Sequence, residues 1–125
     1  MLRACERVLR PDGRLAFFTI FIPPGLSEDA YQRALAAGPP ELRHRHNHQT
    51  MLASAGFADI SETDVTDEFL EIARRWFDAR KRRASELKAA IGESEFLRSQ
   101  TESQATIAAI EAGLLRRSLF VARRP

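Results

Sequence analysis

The chain has 125 residues, 44% of them hydrophobic and 29% charged, the composition of one folded domain or part of one rather than of a disordered tail. Net charge is only +2, and the pI of 9.2 arises because 17 of the 19 basic residues are arginines, which hold their protons at any working pH. That balance lacks the clustered surplus of a nucleic-acid binder, no apolar run reaches the ~20 residues of a membrane span, and the lone Cys5 excludes an internal disulfide.

Leu2, Cys5, Val8 and Leu9 share one helical face, with no Ser, Thr, Asp or Asn ahead of them to cap the first amides. The pattern reads as the tail of a longer helix with Met1 inside it, stopped by Pro11-Asp12-Gly13. Residues 14–22 follow as a strand whose bulk and poor alternation predict cover on both faces, as in a parallel α/β sheet, until Pro23-Pro24-Gly25 ends it. A short helix is expected over 27–37, broken by Gly38-Pro39-Pro40. Asn47 caps a helix over 48–55, and Gly56 stands where a left-handed C-cap belongs. A second strand is expected at roughly 58–65 with Ser61 and Glu62 outward, then two longer helices within 67–112 separated by Gly92. The first carries an apolar stripe that includes Phe69, Ile72, Trp76 and Phe77, and the second a thinner one through Phe96, Leu97, Ile107 and Ile110. Leu119, Phe120 and Val121 make a last strand.

Val8-Leu9-Arg10-Pro11-Asp12-Gly13-Arg14-Leu15 resembles the leucine-arginine-proline-glycine-glycine turn that precedes the fifth strand of class I S-adenosylmethionine-dependent methyltransferases, with Asp12 in place of the first glycine. Leu52-Ala53-Ser54-Ala55-Gly56-Phe57 looks like the alanine-glycine-phenylalanine end of the next helix in that fold, and Arg117 to Arg123 like its last, antiparallel strand. The resemblance spans the whole chain but only the C-terminal half of the family. It implies an α/β fold: a partial Rossmann-like sheet of about three strands, the last antiparallel, with a two-helix insert (67–112) before the final strand, all within one partial domain, 1–125. The family's cofactor site lies in its first βαβ unit, where a Gly-rich turn admits the ligand. No Gly-x-Gly occurs here, so S-adenosylmethionine binding is expected only if a missing N-terminal half is supplied, and no catalytic, cofactor-binding or metal-binding residue is assigned.

His44, His46 and His48 fall on one face of an extended segment, a spacing that could hold zinc. Arg43 and Arg45 between them, with no carboxylate nearby, favour a plain loop and helix start. In a complete enzyme of the resembling family this segment would help to wall the acceptor site, since ligands of open α/β sheets bind beyond the carboxyl ends of strands. Phe21, Tyr31, His44, His46 and His48 are then the candidate small-molecule substrate residues. The six basic residues within 74–83 read as a solvated helix face, supported by Glu71–Arg75 and Asp78–Arg82 at i,i+4 spacing, ahead of a nucleic-acid groove. Asp67 and Glu68 suit a helix N-terminus with Thr66 as its cap, and Cys5 suits a small buried hydrophobe.

The expectation is a truncated methyltransferase-like chain that contributes substrate-side elements and is not catalytic alone. The rival is a non-enzymatic homodimer joined through the outer edge of strand 15–22. Either way the protein is expected to be cytoplasmic, with no nucleic acid or membrane as partner.

Overall fold

The computed structural model describes residues 1–43 and 47–125, the side chains of Glu41 and Arg43 excepted. The elements are α1 (Leu2–Val8), β1 (Arg14–Phe21), α2 (Glu28–Ala37), a 3-10 turn (Pro40–Arg43), α3 (His48–Ser54), β2 (Ala58–Asp64), α4 (Thr66–Arg82), α5 (Ala84–Ile91), α6 (Glu93–Glu111) and β3 (Arg116–Arg123). Two of the caps read from the sequence hold: Asn47 Oδ1 accepts from the Thr50 amide at 3.1 Å, and Gly56 turns the chain at φ +97°; Ser27, expected inside its helix, caps it instead, its Oγ accepting from the Ala30 amide.

The sheet has the order β1-β3-β2, and the last strand lies between the other two, antiparallel to both. Phe17 faces Phe120 across the β1–β3 ladder and stacks on it at 5.4 Å, while Glu62 flanks Phe120 from β2. β3 extends beyond its three apolar residues, as the resemblance over 117–123 implied, and its arginines leave the ladder for carboxylates at its rims. Arg116 reaches Asp64 at 2.5 Å, Arg123 reaches Asp12 at 2.8 Å and Asp59 at 2.5 Å, and Arg124 reaches Glu6 at 2.9 Å. Asp12 and Asp59, the two non-glycine residues with positive φ (+62° and +50°), are thus gripped by one guanidinium. Asp59 sits in the irregular stretch between Ala58 and Ser61 where the β2 register shifts, so β2 is not the even strand expected.

Two apolar clusters pack against the sheet. Leu52, Phe57, Phe120 and Ala122 form a buried cluster with Leu2, Cys5 and Leu9 of the N-terminal segment and Leu15 and Phe17 of β1 packed against it. A second cluster gathers Ala30, Ala34, Leu42, Ala109, Ile110, Leu114 and Leu115 where α2, α6 and the segment before β3 meet, and Ile20 and Ile22 join it. Both faces of β1 have apolar neighbours, Leu15 and Phe17 on one and Ile20 on the other, but the full burial expected is not found. No residue of the strand is fully buried, and Phe18 is 55% exposed. The reason is topological: β1 pairs with β3 on one edge only, and among the described residues no strand lies along its other edge.

The helical cover begins at Thr66 and consists of three helices, not two. The chain breaks at Arg83 (φ −107°, ψ 26°), whose amide is shared between the carbonyls of Ala79 and Arg80. Thr66 is not the cap of α4. The Asp64 carboxylate accepts from the Thr66 amide at 2.9 Å, while the Thr66 hydroxyl accepts from the Arg117 amide at 3.1 Å and pins the helix start to β3. Trp76, expected in the core, is 61% exposed beneath the Arg80 guanidinium, whereas Phe77 is half-buried. The Glu71–Arg75 pair forms at 2.5 Å; among the described residues Asp78 and Arg82 do not pair, and Arg74 and Arg80 turn to Glu111 and Ser103 on α6. Among the described residues no helix is long and apolar enough to cross a membrane.

Candidate functional site

A cavity of about 550 Å³ opens at the carboxyl end of β1, where Pro23 and Pro24 turn the chain away from the sheet. Its size is ordinary for a small-molecule site. Three of the residues singled out from the sequence line it: Phe21 from the last position of β1, Tyr31 from α2 and His48 from the first turn of α3. The three elements meet there because the Pro-Pro-Gly segment folds α2 back, and Asn47 starts α3 beside Phe17 and Phe120. The His48 ring lies 5.8 Å from Phe17 and 5.3 Å from Phe120, held by two aromatic neighbours. His44 and His46 lie outside the described residues.

Among the other lining residues are three with chemistry to offer that the sequence reading did not assign to a site. Phe18 supplies an aromatic wall, Glu62 a carboxylate and Arg117 a guanidinium. The Glu62 carboxylate accepts from the Ser118 hydroxyl at 2.8 Å and from Gln49 Nε2 at 3.4 Å, and Ser118 is only 1% exposed. Glu62 is exposed, as its outward place in the strand suggested, and these two bonds hold its carboxylate. Arg117 is held by π-faces: its guanidinium carbon lies 4.2 Å from the centre of the Phe18 ring and 5.2 Å from that of Phe69. Its Nε–H is buried and has no acceptor. No local motif marks either residue. They arrive by register, since β3 places Arg117 opposite Ile20, and β2 places Glu62 against Phe120.

The arrangement contains aromatic surface, one cation and one hydrogen-bonded carboxylate. It can hold and orient a small polar molecule. At the strand ends beside it β1 runs into Pro23-Pro24-Gly25 and β2 into Val65-Thr66, without the paired glycines that let a backbone approach a nucleotide.

Comparison with known proteins places the fold. No family profile matches the chain. A phosphoethanolamine N-methyltransferase of Triticum aestivum is 24% identical over 121 residues, 97% of this chain but 24% of its own length. A solved phosphoethanolamine N-methyltransferase 2 of Haemonchus contortus, in complex with phosphomonomethylethanolamine and S-adenosylhomocysteine, superposes with a TM-score of 0.79 at 15% identity, over 99% of this chain and 29% of its own. The cyclopropane synthase MmaA2 of Mycobacterium tuberculosis superposes with a TM-score of 0.72 at 16% identity, over 98% of this chain and 48% of its own. The curated and structural neighbours are S-adenosylmethionine-dependent methyltransferases, and the chain has the fold of part of such a Rossmann-like domain, as its motifs implied. It spans about a quarter to a half of the length of these proteins.

Proposed function

We propose that this chain forms the acceptor-substrate side of an S-adenosylmethionine-dependent methyltransferase and leaves the cofactor to a segment outside it. The observation that carries the reading is the cavity at the carboxyl end of β1, walled by Phe18, Phe21, Tyr31, His48, Glu62 and Arg117. Bound S-adenosylmethionine would supply an electrophilic methyl group; the residues present do not fit it, and no step through it is assigned to them. Their part is to position a nucleophile, which is a large share of what a transferase of this kind provides. Aromatic rings exclude water from the acceptor, and the two charged groups fix its orientation. Phe69 of α4 backs Arg117 from the side of β3.

The outer edge of β1 carries the second half of the proposal. Unpaired amides and carbonyls along eight residues are a template for another strand. In the primary reading the cofactor-binding portion supplies that strand. In the second reading a second copy of this chain supplies it about a twofold axis, giving a homodimer without transferase activity. Exposed Phe18 beside the open edge favours some occupant in both.

The test is purification of the affinity-tagged protein from its native cells, followed by an assay for transfer of labelled methyl groups from S-adenosylmethionine to small acceptors. Transfer by the eluate is expected; a homogeneous dimer of this chain with no transfer would favour the second reading and overturn the first.

A further inference from the structure

We infer that Arg117 is the anchor for an oxyanion, a phosphate or carboxylate group of the small molecule that occupies the cavity. The inference names a substrate class for that cavity and so rests on reading it as a binding site.

Four arginines lie at or just after β3, and three of them have carboxylates: Arg116 has Asp64, Arg123 has Asp12 and Asp59, and Arg124 has Glu6. Among the described residues Arg117 has none within 4 Å. The carboxylate that lines the same cavity is already engaged, since Glu62 accepts from Ser118 and Gln49. Arg117 is nevertheless not a side chain released into solvent. Phe18 and Phe69 hold its guanidinium by their faces, and its Nε–H is shut off from water without an acceptor. A buried donor left unmade is costly, and most such donors in folded proteins have a partner.

Aromatic faces satisfy the guanidinium plane but not its in-plane N–H donors, which are matched by the two oxygens of a carboxylate or phosphate. The stacking also fixes the direction of those donors before any ligand arrives, which lowers the ordering cost of binding. Arg117 lines a cavity of about 550 Å³. An oxyanion seated there accepts from the guanidinium beside Phe18 and Ile20, which share its face of the sheet.

The Nε–Hε resonance of Arg117 reports this directly in a nitrogen–proton correlation spectrum of the full chain, assigned by its absence in Arg117→Lys. The chain is titrated with sodium phosphate and, separately, sodium acetate, with sodium chloride at matched ionic strength as the control. A saturable shift of that resonance with phosphate, with acetate or with both, absent in chloride, is expected and identifies the class of anion. In Arg117→Lys, which keeps the charge and loses the fork, the shifts of neighbouring backbone amides should need at least ~10-fold more anion. A resonance that moves no more in either anion than in chloride, up to concentrations on the order of 10 mM, overturns the assignment, as does unchanged affinity in Arg117→Lys. The parent titration needs no variant to fold, and no outcome depends on methyl transfer, so failure here is separable from failure of the proposed function.

Discussion

The Arg117 guanidinium lies 4.2 Å from the centre of the Phe18 ring, and this contact gives a purpose to an aromatic side chain that is 55% exposed. A phenylalanine so placed would ordinarily be neutral to remove. Here truncation also frees a cation from one of its two ring contacts, so Phe18→Ala should cost about 1 kcal/mol by urea unfolding, well under the ~3–5 kcal/mol of a core phenylalanine. A loss in the core range would mean that Phe18 is packed as a structural residue.

Asp64 ties the end of β2 to both the start of α4 and the start of β3. The hydroxyl and backbone amide of Thr66, and then the Arg116 guanidinium, hold its carboxyl at about 2, below the ordinary 3.8. A lowered folded-state value means stability that is complete above about 3.8 and lost as pH falls through about 2. The carboxylate is 44% exposed, so after solvent screening the amount is below about 1 kcal/mol. Asp64→Asn should therefore be less stable than the parent near neutral pH, with the gap closing as pH falls from about 4 to about 2. A gap independent of pH would show that the hydrogen-bonding shape, not the charge, is what matters.

The contrast between Leu52 and Trp76 separates what the sequence pattern could and could not reveal. Leu52 precedes the Ala55-Gly56-Phe57 signature and is fully buried. Leu52→Ala should cost about 2–5 kcal/mol. Trp76 sits on an equally clear helical stripe yet is 61% exposed, and Trp76→Ala should cost less than about 1 kcal/mol. Thermal unfolding of the two variants side by side decides the ranking.

The first turn, two caps and the element order were legible because they rest on local chemistry: Pro11-Asp12-Gly13, Asn47 and Gly56 each act within four residues of themselves. The insert was legible as helical, but its break at Arg83 was not, since nothing in Lys81-Arg82-Arg83-Ala84 disfavours a helix. Hydrophobic pattern alone marked only Leu119 to Val121 of β3, whereas the resemblance gave 117–123, close to the Arg116–Arg123 found, where the arginines meet Asp64, Asp12, Asp59 and Glu6. The same applies to the site. Phe21, Tyr31 and His48 followed from where β1 ends, whereas Glu62 and Arg117 enter the cavity only through the antiparallel register of three strands distant in sequence.

Asp12 holds φ +62° where the resembling turn has glycine. Its side chain is 81% exposed and donates nothing to the core, but it accepts from Arg123 at 2.8 Å. Asp12→Gly relieves a left-handed residue, a gain of order 1 kcal/mol, and gives up an exposed ion pair of similar or smaller value. The variant should match the parent within about 0.5 kcal/mol or exceed it, whereas Asp12→Val should lose more than about 1 kcal/mol because a branched side chain resists positive φ. Equal losses in both variants would place the weight on the Arg123 bond.

The central claim is that these residues build an acceptor wall and not a cofactor cradle. Isothermal titration of S-adenosylmethionine into the isolated 125-residue chain tests it most directly. The account predicts no saturable heat in the micromolar range; stoichiometric micromolar binding would contradict it.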